Sequence, residues 1–217
     1  MKELENEVLD AAEDLNVVDI CVKLIVEVED QYNTNGDPAH GMSHILQVVR
    51  DGLLITKWCN DNSIKLPDNA AEMVAVAAFY HDWYTTENRK YHHVLALEKI
   101  IKKDGLLLDR FSDKELIMIA MAAGQHRASA MPTTFHSMIA KIVASADRGE
   151  PSADEIIKRI TLKGLNPERV ESIRGKYGLS GYVKYPDVYT MYYDRERIHG
   201  MRIDIEEWSD AYLSKHQ

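Results

Sequence analysis

The stretch that most constrains this chain is Val74-Ala75-Val76-Ala77-Ala78-Phe79-Tyr80-His81-Asp82-Trp83-Tyr84. An apolar run leads straight into a histidine–aspartate pair. The run is apolar all round, so periodicity alone does not separate helix from strand. Its alanines at 71, 75, 77 and 78, and its length counted from Asn69, favour a buried helix ending near Tyr84. A helix apolar on every face belongs in a core. His81 and Asp82 are then held in a dry environment, and a carboxylate there needs a cation or several donors. Taken alone, the pair reads equally as a core histidine with a capping aspartate, so the rest of the chain has to supply the partners.

With 217 residues, 45% apolar and 28% charged, the chain has the make-up of a soluble globular protein of one domain. No apolar stretch reaches the length of a membrane span, and Met1-Lys2-Glu3-Leu4-Glu5 is not a signal peptide. Cys21 and Cys59 make neither a metal-type pair nor a disulfide framework, so a reducing cytoplasm is the expected home. Acidic residues outnumber basic ones 35 to 26, which argues against a long nucleic acid as partner. A small phosphorylated ligand stays open, because a metal can supply local positive charge. Histidine is the unusual count: nine, at 40, 44, 81, 92, 93, 126, 136, 199 and 216.

Taken in order, the pattern is helical throughout, and the fold class is all-α. Residues 3–31 predict one helix, or two with a break at Asn16–Asp19. The next begins near Gly41 or Ser43, with Ile45, Val48, Val49, Gly52, Ile55 and Cys59 as its stripe and His44 on the stripe's edge. After the central helix, another starts near Tyr91, with His92 and His93 in its first turn and Gly105 as its stop. Ser112-x-x-Glu115 is a capping-box pattern opening a helix that runs to about His126. A further helix turns Met138, Ile139, Ile142, Val143 and Ala146 inward, and Asp147 falls on its buried side. Pro151-Ser152 and Asn166-Pro167 open two more, and a last one covers about 187–213. Gly181-Tyr182-Val183-Lys184-Tyr185 is the only strand candidate.

Five places therefore put His or Asp at a helix end or on a buried face: His44, His81-Asp82, His92 or His93, His126 and Asp147. Singly, each reads as a satisfied core or helix-end residue. Together those readings need five coincidences. Mixed imidazole and carboxylate donors suit Mn²⁺, Fe²⁺, Co²⁺, Ni²⁺ or Zn²⁺ better than Ca²⁺ or Mg²⁺. Arg127 and Arg148 stand beside these residues and have the fork geometry for phosphate oxygens. Arg89 and Lys90 are further cations on the loop after Asp82.

His44, then His81-Asp82, then Asp147, each on its own helix, resembles the H…HD…D signature of the HD-domain metal-dependent phosphohydrolases. The flanks His44-x-x-x-Val48-Val49, Ala77-Ala78-Phe79-Tyr80-His81-Asp82 and Ile142-Val143-Ala144-Ser145-Ala146-Asp147-Arg148 resemble that family too. The match covers about 38–150. It implies a single HD-type helical bundle with additional N- and C-terminal helices, the latter over about 151–217. It also implies that His44, His81, Asp82 and Asp147 hold a first metal. Neighbours on a helix diverge by about 100°, so the convergence of His81 and Asp82 comes from the resemblance and not from spacing. Two-metal members carry two extra histidines between HD and the last Asp, here His92 (or His93) and His126. That arrangement is similar to the HD enzymes that split symmetrical dinucleoside tetraphosphates. His40 is a second candidate for the first ligand, but His44 alone precedes the Val pair at the family's offset. His136 is not expected to be a ligand.

The resemblance implies hydrolysis of a phosphate ester or anhydride on a nucleotide or related small molecule, with one or two divalent metals per chain. Asp82 would bridge them, and His126 would complete the second site or, with one metal, bind phosphate or act as general acid. Two other readings share the motif: an HD-type diiron oxygenase acting on an organophosphonate, and a non-catalytic nucleotide-binding HD module. No membrane and no long nucleic acid is expected as partner.

Overall fold

The computed structural model describes residues 1–33, 41–85, 87–105, 107–127, 137–162, 164–183 and 185–216. All regular structure among them is helical. The helices are α1 (Lys2–Glu13), α2 (Val18–Asn33), α3 (Met42–Asp61), α4 (Ala70–Tyr80), α5 (His92–Ile101) and α6 (Asp113–Gly124). They continue with α7 (Met138–Arg148), α8 (Ala153–Leu162), α9 (Pro167–Tyr177), α10 (Asp187–Tyr192) and α11 (Arg195–Leu213). A 3-10 turn lies at Leu108–Arg110. The chain divides into two compact units, Met1–Gly149 and Glu150–Gln217. Among the described residues, no helix is long and apolar enough to cross a membrane.

The break after α1 falls on Asn16, whose φ of 58° is left-handed. Asn tolerates that conformation, and the Val17 amide then reaches back to the Ala12 carbonyl at 3.0 Å, closing the helix end. Ser112 and Glu115 form a reciprocal capping box on α6. Asn166 caps α9, with Pro167 as its first residue. The described residues of the strand candidate, 181–183 and 185, form no strand. Its amides fold back onto the end of α9 instead, Tyr182 to the Gly175 carbonyl and Val183 to that of Lys176. The expected last helix is two, because Asp194, at φ 68°, stops the first and caps the second through the Glu196 amide.

In the first unit α4 is the axis, packed by α2, α3, α6 and α7. Every residue from Met73 to Asp82 is buried. The helix stops at Tyr80 rather than near Tyr84, because the hydrogen bonds tighten from the helical spacing to i→i+3: Trp83 to Tyr80 and Thr85 to Asp82. The carbonyls orphaned at this end find other donors. The His81 ring takes that of Ala78 at 2.7 Å, and the Tyr32 hydroxyl of α2 takes that of Phe79 at 2.9 Å. Gln31 donates to the Trp83 carbonyl at 3.0 Å. This swap from backbone to side-chain partners lets two successive residues turn towards one place.

Gly52 sets how close α3 approaches α4. A Cβ there would stand 2.8 Å from Cγ1 of Val74. In the second unit, α8, α9 and α10 pack on α11. Its core is Ala153, Tyr189, Ile198, Met201 and Ile205, with Tyr177, Tyr185 and Tyr193 packed against it. Tyr185 and Tyr189 stack at 4.8 Å. Tyr177, Tyr185, Tyr189 and Tyr193 of the tyrosine-rich segment thus build the core of that unit, whereas Tyr182 is exposed.

Gly52→Val is expected to cost about 1–3 kcal/mol through overpacking between α3 and α4. Denaturant unfolding checks this, and an unchanged midpoint would contradict the close approach.

Candidate metal centre

Six side chains from five helix ends meet at the end of α4. His44 lies in the first turn of α3, and His81 and Asp82 follow the last residue of α4. His92 opens α5, His126 lies two residues past α6, and Asp147 is next to last in α7. Three of the histidines use one local device. The Nδ1 of His81, His92 and His126 faces a backbone carbonyl three residues earlier, of Ala78, Arg89 and Ala123, at 2.7, 2.9 and 2.5 Å. A carbonyl can only accept, so Nδ1 carries the proton and donates it. Each ring is thereby fixed in orientation and, when neutral, presents a lone pair at Nε2.

Those Nε2 atoms converge on carboxylates. Oδ2 of Asp82 stands 3.7 Å from His44 and 3.5 Å from His81. Oδ1 of the same group stands 3.1 Å from His92 and 3.4 Å from His126. Asp147 Oδ1 closes the first side, 3.3 Å from His44 and 3.6 Å from His81. Asp82 therefore divides the cluster in two. One side holds His44, His81 and Asp147. The other holds His92 and His126, whose Nε2 atoms are 3.1 Å apart.

The spacings decide what the cluster suits. Most exceed the 2.7–3.2 Å of a good N–H···O bond. With metal–ligand bonds of about 2.1 Å, octahedral neighbours stand about 3.0 Å apart and tetrahedral ones about 3.4 Å. The observed 3.1–3.7 Å lies in and just above that range. On the His92–His126 side three electron-pair donors face one another, and only a proton or a cation among them removes the repulsion. The buried Nε2 of His81 has no hydrogen-bond partner. Two groups, His44–His81–Asp147 and His81–Asp82–His126, each bring their donor atoms within 4.8 Å of one another. The residues fit a divalent transition metal.

Electrostatics follows from burial and neighbours. Burial opposes charge on His81, but Asp82 and Asp147 outweigh it and push its pKa up to about 9. Burial lowers that of His126, aided by the charge of His81. Burial also opposes charge on Asp147, yet the imidazoles of His44 and His81, 3.3 and 3.6 Å from its Oδ1, hold that carboxyl well below the usual range. The side chains of His81, Asp82, His92 and His126 are almost wholly buried, whereas Asp147 is 21% exposed. The cluster opens to solvent on the Asp147 side.

His92 makes the contact with Asp82. His93 stands edge-on to His92 at 5.6 Å, with its Nδ1 buried and without a hydrogen-bond partner. Burial, with Arg127 nearby, drives its pKa down to about 4. Arg127 donates to the Lys90 carbonyl at 2.8 Å, tying the end of α6 to the loop before α5. Arg148 turns back onto the Ala144 carbonyl of its own helix. His40 and His136 lie outside the described residues. Sequence reasoning missed Tyr32 and Gln31, which hold the turn carrying Asp82 in place. Their only signal was position on the inner face of α2.

No protein-family model, curated protein or solved structure matches this chain. Among the described residues, the fold and site define a helical protein with His/Asp groups suited to metal binding.

A cation entering beside His81 displaces the proton that this ring holds up to about pH 9. Mn²⁺ loading is therefore expected to release protons near neutral pH, with affinity rising towards that value. Calorimetry in buffers of different ionisation enthalpy reads the release directly. Binding without proton release would contradict the charged His81.

Proposed function

We propose that this chain is a metal-dependent phosphohydrolase of the HD-domain type. It cleaves a phosphate ester or anhydride of a nucleotide or related small phosphorylated molecule. The observation that carries the reading is Asp82. Its two oxygens are shared between two pairs of imidazoles at 3.1–3.7 Å, with Asp147 completing one side. The order His44, His81-Asp82, His92, His126, Asp147 supports it, since it follows the two-metal HD pattern.

A bound divalent transition metal supplies Lewis acidity towards a phosphoryl oxygen and acidifies water. The chain's own residues do the rest. Asp82 and Asp147 bring the cluster's negative charge, and the imidazoles add donor atoms without charge. Asp82 and Asp147 would offset only one of two divalent ions, so the loaded cluster would keep a net positive charge that favours an anionic substrate. His81, His92 and His126 wall off Asp82 from bulk water, and in that drier interior electrostatic interactions strengthen. The partly exposed Asp147 side is the approach for substrate. His126 is buried with its pKa lowered, which favours a ligand over a general acid. Arg127 and Arg148 are the proposed phosphate contacts, by their places next to His126 and Asp147.

Asp82→Ala is expected to abolish both turnover and metal retention while helical content by circular dichroism stays near that of the parent. The assay is a screen of nucleoside mono-, di- and triphosphates and dinucleoside polyphosphates with Mn²⁺, Fe²⁺, Co²⁺ and Mg²⁺. Near-normal turnover in the variant would overturn the reading. A strict need for iron and oxygen would move the site to organophosphonate oxidation. Nucleotide binding without turnover under any metal would make it a binding module.

A further inference from the structure

The second unit carries a different chemistry. Along α9, Arg169, Ser172, Ile173 and Lys176 recur at i, i+3, i+4 and i+7, which places them on one helix face. Such a face is ordinarily apolar where it meets a neighbouring helix. Here, with Arg159 and Ile160 from the last turn of α8, it lines a cavity of about 270 Å³. We propose that this cavity binds a small phosphorylated molecule. The phosphoryl group lies among Arg159, Arg169, Lys176 and the Ser172 hydroxyl, and an apolar body rests on Ile160 and Ile173.

Three cations share this cavity, and among the described residues no carboxylate lines it. The chain as a whole carries a net charge of −9, so a cluster of positive charge runs against its composition. An anion relieves the mutual repulsion of the three and accepts charge-assisted bonds from them. Arg169 is placed in advance. Its guanidinium donates to the Gly164 carbonyl at 2.7 Å, and its amide to the Asn166 side chain at 2.8 Å. The floor favours an organic group over a bare ion: Ile160 is buried, and Ile173 packs against the unit's core. At about 270 Å³ the cavity falls below the ≈ 300–1,000 Å³ of pockets for drug-sized ligands, which limits its occupant to a small molecule. A nucleic-acid strand would need a basic track along its backbone, whereas these cations are confined to one cavity.

The test uses the full chain stripped of metal by chelation, so that phosphate esters are neither turned over nor held at the His/Asp cluster. The probes are inorganic phosphate and phenyl phosphate, titrated by NMR at about 0.15 M salt. Phenyl phosphate is expected to saturate with Kd on the order of 1 mM or below and to bind more tightly than phosphate. The Arg159→Gln/Lys176→Gln double variant is expected to weaken it by about tenfold or more, with Asp82→Ala unchanged. Should the double variant not fold, Ser172→Ala, at an exposed position, is expected to weaken binding by about threefold. Absence of saturation overturns the proposal. So does binding that survives in the cavity variants and is lost in Asp82→Ala. A single-stranded oligonucleotide that outcompetes phenyl phosphate would overturn the small-molecule assignment.

Discussion

One buried carboxylate governs the first unit. Asp82 is 3% exposed and sits at the end of a helix with no polar face, where an uncompensated charge is very costly. Four imidazoles from four different helix ends surround it. For them to meet, α3, α5 and α6 must each end or begin at the same place as α4. The close approach of α3 to α4 at Gly52, and the Tyr32 bond from α2 to the end of α4, serve the same requirement. Packing and charge are thus two sides of one constraint: the apolar helix drives the segment inside, and the histidines make its terminal carboxylate tolerable there.

The repeated link from Nδ1 to a carbonyl three residues earlier is the economy of the centre. Each such bond satisfies a backbone acceptor and orients a ring in one step. Removing the ring would orphan the carbonyl as well as a donor atom. These histidine positions and the helix termini are therefore hard to vary separately in this unit. In the second unit, tyrosines rather than histidines fill the centre, and its positive groove lies on the α8–α9 face.

Much of this was legible beforehand because it depends on local patterns. The all-round apolar run at 74–80 announced a buried helix, the Ser112/Glu115 pair announced the start of α6, and Asn16 marked the break after α1. What escaped depends on contacts distant in sequence. The helix ends at Tyr80, not near Tyr84, because partners from α2 and the ring of His81 replace the backbone bonds there. The choice between His92 and His93 was open in sequence, as both lie in one first turn. The structure turns His92 to Asp82, with its other nitrogen held by Arg89. The stop at Asp194 was invisible to hydrophobic periodicity, since Tyr and Ile continue through it.

The central claim is that Asp82 stands between two cation positions. Anomalous diffraction from crystals of the Mn²⁺-loaded protein tests it most directly. The account predicts two manganese peaks, one among His44, His81, Asp82 and Asp147, the other among Asp82, His92 and His126. A single peak, or manganese bound away from Asp82, would contradict it.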